Sequence, residues 1–367
     1  MNIVFDTQIF SEQEFGGISR YFCALATEMA KHADAKVKIA APLHINAYLK
    51  ALDPALTVGC YVRRLPKTGR VIKALSTALF QPLAAMLRPD IVHETYYSAR
   101  PTYSGRVPHV LTVYDMIHER FPASFPPGDP VAANKALAVH RADHVFCISE
   151  NTRRDLLEIH KLPEDRVSVI YLGYDALAAS ALTAHALVGA APYLLHVGSR
   201  QGYKNFEGLL RAYASSGWLR DNLRLVCFGG GAFSALEKNL QLELGLSPNQ
   251  VLQIGGADDR MAALYQGAAA FVYPSQYEGF GIPPLEAMSL DCPVICGNTS
   301  SIPEVVGEAG AYFDPFDVGS MRNSIEQVLQ STERRAQLVE MGRLRCQSFS
   351  WERCANETLS VYRKLSK

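Results

Sequence analysis

The sequence has no excess of charge of either sign and no long apolar run. Its 36 Lys and Arg residues balance 36 Asp and Glu residues, so the formal net charge is zero. Proteins that hold nucleic acid by bulk charge need a basic surplus, so we expect no nucleic-acid partner. No apolar run reaches the roughly 18 residues of a membrane-spanning helix. The N-terminus also lacks the basic and apolar segments of a signal peptide, so we expect neither kind of segment.

Paired cysteines and the common phosphate-binding motifs are missing too. The eight cysteines are scattered, without a Cys-x-x-Cys pair, and most stand in apolar runs such as Val145–Ile148. This favours buried free thiols in a reducing cytoplasm. No group of Cys and His has the spacing of a zinc site, so we expect no metal. The chain has neither a Gly-x-x-x-x-Gly-Lys-[Ser/Thr] loop nor a Gly-x-Gly-x-x-Gly fingerprint.

Short β-branched runs alternate with amphipathic segments of helical length along the 367 residues. This alternation predicts an α/β fold of two doubly wound units, each with a parallel sheet covered by helices. We place the first domain at residues 1–180 and the second at 190–349, with Tyr174–Ala191 as a linker. The predicted strands are Ile3–Phe5, Val37–Ala40, Ile91–His93, Val110–Val113, His144–Ile148, Val167–Ile170, Tyr193–Val197, Leu223–Phe228, Val251–Ile254, Ala270–Tyr273, Pro293–Ile295 and Ala311–Phe313.

One segment of the first domain is entirely without acidic residues, which are missing between Asp53 and Asp90. Its leucines recur at near-helical spacing among basic residues. A basic amphipathic helix of this kind can lie on an anionic membrane surface, and a solvated helix packed on the first sheet is the alternative. The candidate membrane and acceptor residues are Arg63, Arg64, Lys67, Arg70 and Lys73.

The loops that follow strands hold the other candidates, because open α/β sheets bind ligands at the carboxyl ends of their strands. Gly16 and Gly17 precede a helix whose free N–H groups suit a phosphate, although a structural turn fits equally well. Arg200 and Lys204 flank a turn after Tyr193–Val197. They can converge on one diphosphate or can be solvated surface cations.

Two further loops contain several glycines. Gly229-Gly230-Gly231 follows a strand, and we interpret it as a turn with close backbone packing rather than a phosphate contact. After Ala270–Tyr273, a glycine-rich loop joins Glu278 to Glu286, and two prolines set the start of a helix inside it. Carboxylates at both ends of a phosphate-sized loop can hydrogen-bond sugar hydroxyls. A plain helix-capping role is the alternative for Glu286.

With these motifs the sequence resembles the retaining glycosyltransferases of family four, which have the GT-B fold. The family signature is two glutamates with seven residues between them, here Glu278 and Glu286. Gly16–Tyr21, Ile148–Thr152 and Phe349–Glu352 also stand in family order, so the resemblance covers the whole chain. It is similar to the bacterial mannosyltransferases that build lipopolysaccharide O-antigens. The resemblance implies two Rossmann-like domains facing each other across a cleft, with residues 350–367 forming a helix that crosses back to the first domain.

The resemblance also implies roles for the matching residues. Arg200 and Lys204 would hold the donor diphosphate and stabilise the leaving group. Glu278 would contact the donor sugar, and Glu286 the ribose hydroxyls. The remaining donor-binding residues implied are Gly16, Gly17, Ser199, Gly255, Leu264, Phe280, Gly281 and Ile282.

The chain departs from the family at one catalytic position. Tyr114 stands where relatives often have a histidine, although Asp115 is retained and His118 follows one turn later. Asp115 and His118 are therefore the catalytic candidates here: either His118 replaces the missing imidazole, or Asp115 carries the contact to the sugar or acceptor. A core or capping role is the alternative for His118.

The resemblance implies a metal-independent transferase that needs no cofactor beyond its nucleotide-sugar donor, with GDP-mannose favoured. The implied acceptor is a polyprenyl-diphosphate-linked saccharide, which places the protein in the cytoplasm at the inner face of the cytoplasmic membrane. Three alternatives stay open: a UDP-sugar-dependent transferase, a nucleotide-sugar 2-epimerase, and a catalytically silent scaffold that binds the donor. The Glu278–Glu286 loop and the Phe349–Glu352 segment argue against the epimerase.

Overall fold

The computed structural model describes residues 1–366, and the chain separates into two units. The first unit comprises Met1–Gly173 and the segment that starts at Phe349, and the second comprises Tyr174–Ser348. The predicted α/β class with two Rossmann-like sheets is confirmed, because each unit is built on its own parallel sheet.

The first unit has a seven-stranded parallel sheet in the order β3-β2-β1-β4-β5-β6-β7. The third strand in this order, Asn2–Phe5, pairs with a neighbour on each side, through Ile3–Val37 and Ile3–Ile91. The strands are β1 (Asn2–Phe5), β2 (Lys36–His44), β3 (Thr57–Tyr61), β4 (Ile91–Glu94), β5 (His109–Val113), β6 (His144–Cys147) and β7 (Val167–Val169). The helices are α1 (Gln8–Glu12), α2 (Gly17–Met29), α3 (Ala47–Ala51), α4 (Gly69–Leu87), α5 (Ile117–Arg120), α6 (Val131–Arg141) and α7 (Glu150–His160).

The second unit has a six-stranded parallel sheet in the order β10-β9-β8-β11-β12-β13. All six strands predicted for this half are confirmed, since each is a short and mostly apolar run. The strands are β8 (Tyr193–Val197), β9 (Arg224–Phe228), β10 (Val251–Ile254), β11 (Ala270–Tyr273), β12 (Val294–Gly297) and β13 (Gly310–Phe313). The helices are α8 (Ala184–Val188), α9 (Phe206–Ala214), α10 (Gly217–Asn222), α11 (Ala235–Glu243), α12 (Asp258–Gly267), α13 (Ile282–Ser289), α14 (Ile302–Val306), α15 (Val318–Gln330) and α16 (Thr332–Cys346).

The final helix, α17 (Trp351–Leu365), belongs to the first unit, as the resemblance implied. Ser350 caps it by accepting a hydrogen bond from the Arg353 amide at 3.1 Å. The helix packs on α2, and Tyr362 is buried with its hydroxyl 2.5 Å from Nδ1 of His93 in β4. Within residues 1–366, no helix combines the length and the apolar character needed to span a bilayer.

Candidate active site

The loop between β11 and α13 is held in one conformation by two serines of the next loop. The hydroxyl of Ser301, fully buried, donates to the carbonyls of Glu278 and Phe280 at 2.9 and 2.7 Å. Ser300 Oγ accepts a hydrogen bond from the Glu278 amide at 2.9 Å. Gly281 precedes α13 with φ of 129°, a left-handed value that favours glycine over residues with a side chain. The loop is therefore fixed without using the Glu278 carboxylate. Neither serine was predicted from the sequence.

Lys204 and Glu278 form the centre of the candidate site. Lys204 ends a single 3₁₀ turn, Gly202–Lys204, that follows β8, and Glu278 follows the neighbouring strand β11. The Lys204 ammonium lies 2.8 and 2.9 Å from the two carboxylate oxygens of Glu278. Their side chains are 22% and 9% exposed, so the pair is only partly open to solvent. The carboxyl ends of two adjacent parallel strands thus bring together a cation and a carboxylate at one edge of the sheet.

Glu286 lies in α13, buried beside Tyr265 of α12. Burial, followed by the nearby Glu286 carboxylate, raises the pKa of the Tyr265 phenol well above its usual value, so this hydroxyl stays protonated as a hydrogen-bond donor. Tyr265 follows Leu264, which the resemblance placed at the nucleotide base. Leu264 is fully buried within α12, and its carbonyl accepts a hydrogen bond from the Tyr193 hydroxyl at 2.6 Å. Its place near the base stays a prediction. Gly255, by contrast, is exposed after β10.

Arg200 and Lys204 have different partners in the structure, which does not bring the two cations together. Its side chain is 3% exposed and pairs with Glu237 of α11 at 2.6 Å. The remaining donors reach the carbonyls of the glycine turn, including Gly229 at 2.8 Å and Gly231 at 2.9 Å. The guanidinium also lies 4.8 Å from the ring centre of Phe233. Arg200 is thus saturated within its own unit, while Ser199 beside it is exposed.

The pairing explains why the turn after β9 consists of glycines. All three residues have positive φ, and a Cβ on Gly230 would lie 2.7 Å from Arg200 Nη1. The predicted close backbone packing at this triplet is confirmed. Partial burial opposes ionisation of Glu237, but hydrogen bonds from Arg200 and Ser234 outweigh it and hold the pKa of this carboxyl below its usual range.

The candidates after β5 form a separate cluster in the first unit. Asp115 precedes α5, and its carboxylate accepts a hydrogen bond from the Ile117 amide at 3.0 Å. His118 stacks on Phe125 with ring centres 3.8 Å apart, and its Nε2 lies 3.8 Å from an Asp129 oxygen. Burial and then the positive charge of Lys135 lower the pKa of His118, which favours the neutral imidazole at physiological pH.

Lys135 holds this cluster together and was not predicted from the sequence. It is fully buried on α6, and its ammonium donates to the Asp115 carbonyl at 2.8 Å and to Glu119 at 2.9 Å. A buried lysine needs such partners, because an isolated charge in the interior is very costly. The only sequence signal was a lysine among the alanines of α6.

Tyr114, the residue at the family histidine position, is buried and tied to the fold. Its hydroxyl donates to the Thr95 carbonyl at 3.0 Å, and its amide donates to the Tyr97 hydroxyl at 3.2 Å. Gly16 and Gly17 lie at the start of α2. A Cβ on Gly16 would meet the side chain of Gln13, whereas one on Gly17 would meet nothing within 4 Å. Gly17 therefore leaves its backbone open to a ligand.

The basic candidates lie at the start of α4. Arg63, Arg64, Lys67 and Arg70 are exposed, and Lys73 pairs with Glu12. Three of them, Arg64, Lys67 and Arg70, line a surface cavity of about 590 Å³ together with Glu14.

Comparison with known proteins assigns the family. The model of glycosyl transferases group 1 matches residues 182–345, and the model of glycosyltransferase family 4 matches residues 15–176. The two models match one half of the chain each, and the chain belongs to the glycosyltransferases. Its family-four signature is thus the loop already described, with Lys204 against one of its glutamates and Tyr265 against the other.

Two curated relatives and one solved structure are informative. The chain is 33% identical over 232 residues to O-antigen chain mannosyltransferase B of Escherichia coli, covering 60% of each protein. It is 24% identical over 323 residues to O-antigen chain mannosyltransferase RfbU of Salmonella typhimurium, covering 86% of this chain and 87% of RfbU. The fold matches Anabaena HepE in complex with UDP, with a TM-score of 0.74, 18% identity and complete coverage of both chains. The match to mannosyltransferase B spans less than two thirds of that relative.

Proposed function

We propose that this glycosyltransferase moves a mannosyl residue from GDP-mannose to a polyprenyl-diphosphate-linked saccharide in the synthesis of an O-antigen or related polysaccharide. The observation that carries the proposal is the Lys204–Glu278 pair beside the loop that leads to Glu286, at the carboxyl ends of β8 and β11. The mannosyl donor is supported by the names of the O-antigen relatives.

The proposed reaction retains the anomeric configuration and needs no metal. The bond between the anomeric carbon and the diphosphate breaks, and the acceptor hydroxyl attacks from the same face while its proton passes to a donor phosphate oxygen. The main barrier is charge developing on the leaving diphosphate. In this proposal Lys204 leaves Glu278 to contact the diphosphate, and the N–H groups at the start of α13 add further donors. Glu278 then accepts hydrogen bonds from the sugar, and Glu286 from the ribose.

The first experiment is a thermal-shift panel of GDP, UDP, ADP and their common sugar conjugates. A ligand at 100 times its Kd adds about 2.7 kcal/mol to the free energy of unfolding, which is readily measured. A shift selective for GDP, and larger with GDP-mannose, supports the proposal. Turnover that persists in EDTA supports the metal-free scheme, and turnover abolished by EDTA contradicts it.

A UDP-sugar is the second candidate donor, because HepE of the same fold is described in complex with UDP. A shift selective for UDP would replace GDP-mannose with a UDP-sugar while leaving the roles of Lys204 and Glu278 in place. Release of nucleotide with acceptor, but not without it, would separate either transferase from an epimerase and from a silent binding protein.

The acceptor is placed at a membrane in this proposal, since its polyprenyl chain is held there. The protein would then work as a cytoplasmic enzyme in peripheral contact with the anionic inner face of the membrane. The exposed cations Arg63, Arg64, Lys67 and Arg70 support that contact.

A further inference from the structure

Two buried tyrosines contact the two glutamates of the loop between β11 and α13. Tyr273 ends β11 and is 3% exposed, and Tyr265, in α12, is fully buried. The Tyr273 hydroxyl is hydrogen-bonded to the Glu278 carboxylate, and the Tyr265 hydroxyl to that of Glu286. Each glutamate of the family signature therefore has a phenol of its own.

The two phenols belong to one row of packed rings. The ring centre of Phe271 lies 5.4 Å from that of Tyr265 and 5.7 Å from that of Tyr273. Phe271 is fully buried in β11, a strand that is paired on both sides, so the row cannot shift without disturbing the sheet. The Tyr265 hydroxyl also lies 3.4 Å from the Pro283 carbonyl at the start of α13. The packing thus fixes where both hydroxyl groups lie.

A phenol suits these positions because it is a neutral donor. Burial, and then the charge of Glu278, raise the pKa of the Tyr273 phenol well above its usual value, so the hydroxyl stays protonated and donates. A single bond of this kind leaves the other acceptor sites of the carboxylate free for sugar hydroxyls. Lys204 neutralises the Glu278 carboxylate instead, and in the proposed reaction Lys204 leaves it for the diphosphate. Tyr273 is then the donor that stays.

We propose that both tyrosines are positioning residues for the donor: Tyr273 orients the Glu278 carboxylate towards the sugar, and Tyr265 orients the Glu286 carboxylate towards the ribose. The inference rests on the proposed function for the assignment of these glutamates to the two parts of the donor. It adds that each part depends on a different phenol. With GDP alone, water would occupy the sugar position and solvate Glu278, so Tyr273 should matter only when the sugar is present.

The test measures the Kd of GDP and of GDP-mannose for the full chain by isothermal titration calorimetry. Tyr273→Phe should weaken binding of GDP-mannose about five- to tenfold and leave that of GDP within about twofold of the parent chain, because only the sugar contact is lost. Tyr265→Phe should weaken binding of both ligands by the same factor, about five- to tenfold, since both carry the ribose. Both variants keep the row of rings, because only a hydroxyl is removed.

The matched control is Tyr213→Phe, in α9 of the same unit. The Tyr213 hydroxyl is also buried, but it donates to the backbone carbonyl of Leu223 at 2.7 Å. This variant should lower Tm and leave both Kd values like those of the parent chain. Equal weakening of the two ligands by Tyr273→Phe, or no weakening of either, would overturn the role of Tyr273. A loss confined to GDP-mannose with Tyr265→Phe, or no loss at all, would overturn that of Tyr265.

A double-mutant cycle distinguishes positioning from a general effect on the fold. If Tyr273 acts through Glu278, Tyr273→Phe should not weaken GDP-mannose binding further in a Glu278→Gln background. In a Glu286→Gln background the same substitution should still weaken it. Full additional losses in both backgrounds would contradict a role through Glu278.

Nucleotide preference separates this inference from the proposed donor. A parent chain that binds UDP and UDP-glucose in place of the GDP pair would refute GDP-mannose, and the same variants are then compared with the UDP pair. A parent chain that binds GDP-mannose, but shows no sugar-selective loss with Tyr273→Phe, would refute the inference and leave the proposed function in place.

Discussion

Lys204 is the side chain on which the proposed chemistry depends most. Lys204→Ala should lower kcat by about 100- to 1,000-fold, because it removes a preorganised donor from the leaving diphosphate, a loss of about 3–4 kcal/mol in barrier. Steady-state kinetics with GDP-mannose and a lipid-linked acceptor measures this. Lys238→Ala, an exposed lysine on α11, is the control and should leave kcat unchanged. Near-normal turnover by Lys204→Ala would remove Lys204 from the site.

Glu286 should affect binding rather than turnover. Glu286→Ala removes the carboxylate proposed to hold the ribose and leaves the Tyr265 hydroxyl with the Pro283 carbonyl at 3.4 Å. Donor KM should therefore rise about tenfold or more with a smaller change in kcat. The same kinetic assay measures the split between the two parameters. A kcat loss with unchanged KM would move Glu286 from donor binding to the chemical step.

Arg200 is predicted to act on stability. Arg200→Ala leaves Glu237 and the carbonyls of the glycine turn without a partner, and breaking a buried pair in this way costs about 3–5 kcal/mol. Thermal denaturation should therefore show a fall of several degrees in Tm. Arg211→Ala is the matched control, since Arg211 pairs with Glu207 on the exposed face of α9 and its loss should cost less than about 1 kcal/mol. A normal Tm with a large loss of kcat would instead indicate that Arg200 holds the donor diphosphate.

The contrast between Lys204 and Arg200 shows what spacing predicts at the residue scale. Both residues follow β8, so sequence places both at the carboxyl edge of the sheet. Which way each side chain turns depends on partners far along the chain, Glu278 for Lys204 and Glu237 for Arg200. The roles of Ser301 and Lys135 were hidden for the same reason, because their partners come from other loops and helices.

At the scale of elements, strands with a mostly apolar run were predictable, at the edges of the sheets as well as inside them, and a strand without such a run was not. Short, mostly apolar runs identified all six strands of the second unit. β3 (Thr57–Tyr61) was not predicted, because it is an edge strand that is largely exposed and lacks an apolar run. Helix α4 was expected from its leucines, but spacing alone did not show that Leu75 and Leu79 lie on a different face from Phe80.

Helix α17 gives the prediction at this scale. Its residues Cys354, Leu359 and Tyr362 are buried in the first unit, and each large apolar side chain contributes about 1.5–3 kcal/mol on burial. A chain ending at Ser348 should therefore lose protection from hydrogen exchange in peptides from residues 1–173. Peptides from 174–348 should keep theirs, because that unit has its own core. Equal loss in both sets of peptides would contradict this assignment of the helix.

At the scale of the whole molecule, buried histidines should make the fold sensitive to acid. Burial lowers the pKa of His93 to about 3 and that of His144 and His196 to about 4, from an ordinary value of 6.5. As the pH falls below 6.5, the unfolded chain binds protons at these positions while the folded chain does not. The free energy of unfolding contributed by these groups is therefore fully present above pH 6.5 and is lost as the pH falls towards 4.

One buried carboxyl acts in the opposite direction. Burial, and then the charge of Glu94, raise the pKa of Asp6 from 3.8 to about 6, so in this range the folded chain holds a proton that the unfolded chain releases. Three histidines outweigh one carboxyl, and Tm should fall between about pH 7 and pH 5. Thermal denaturation of His144→Gln should show a shallower fall of Tm with pH, because only two of the three buried histidines are then left to bind a proton on unfolding. His185→Asn, at an exposed position in α8, should keep the slope of the parent chain. A Tm that rises over the same interval would mean that Asp6 dominates and that these histidines take up protons in the folded state.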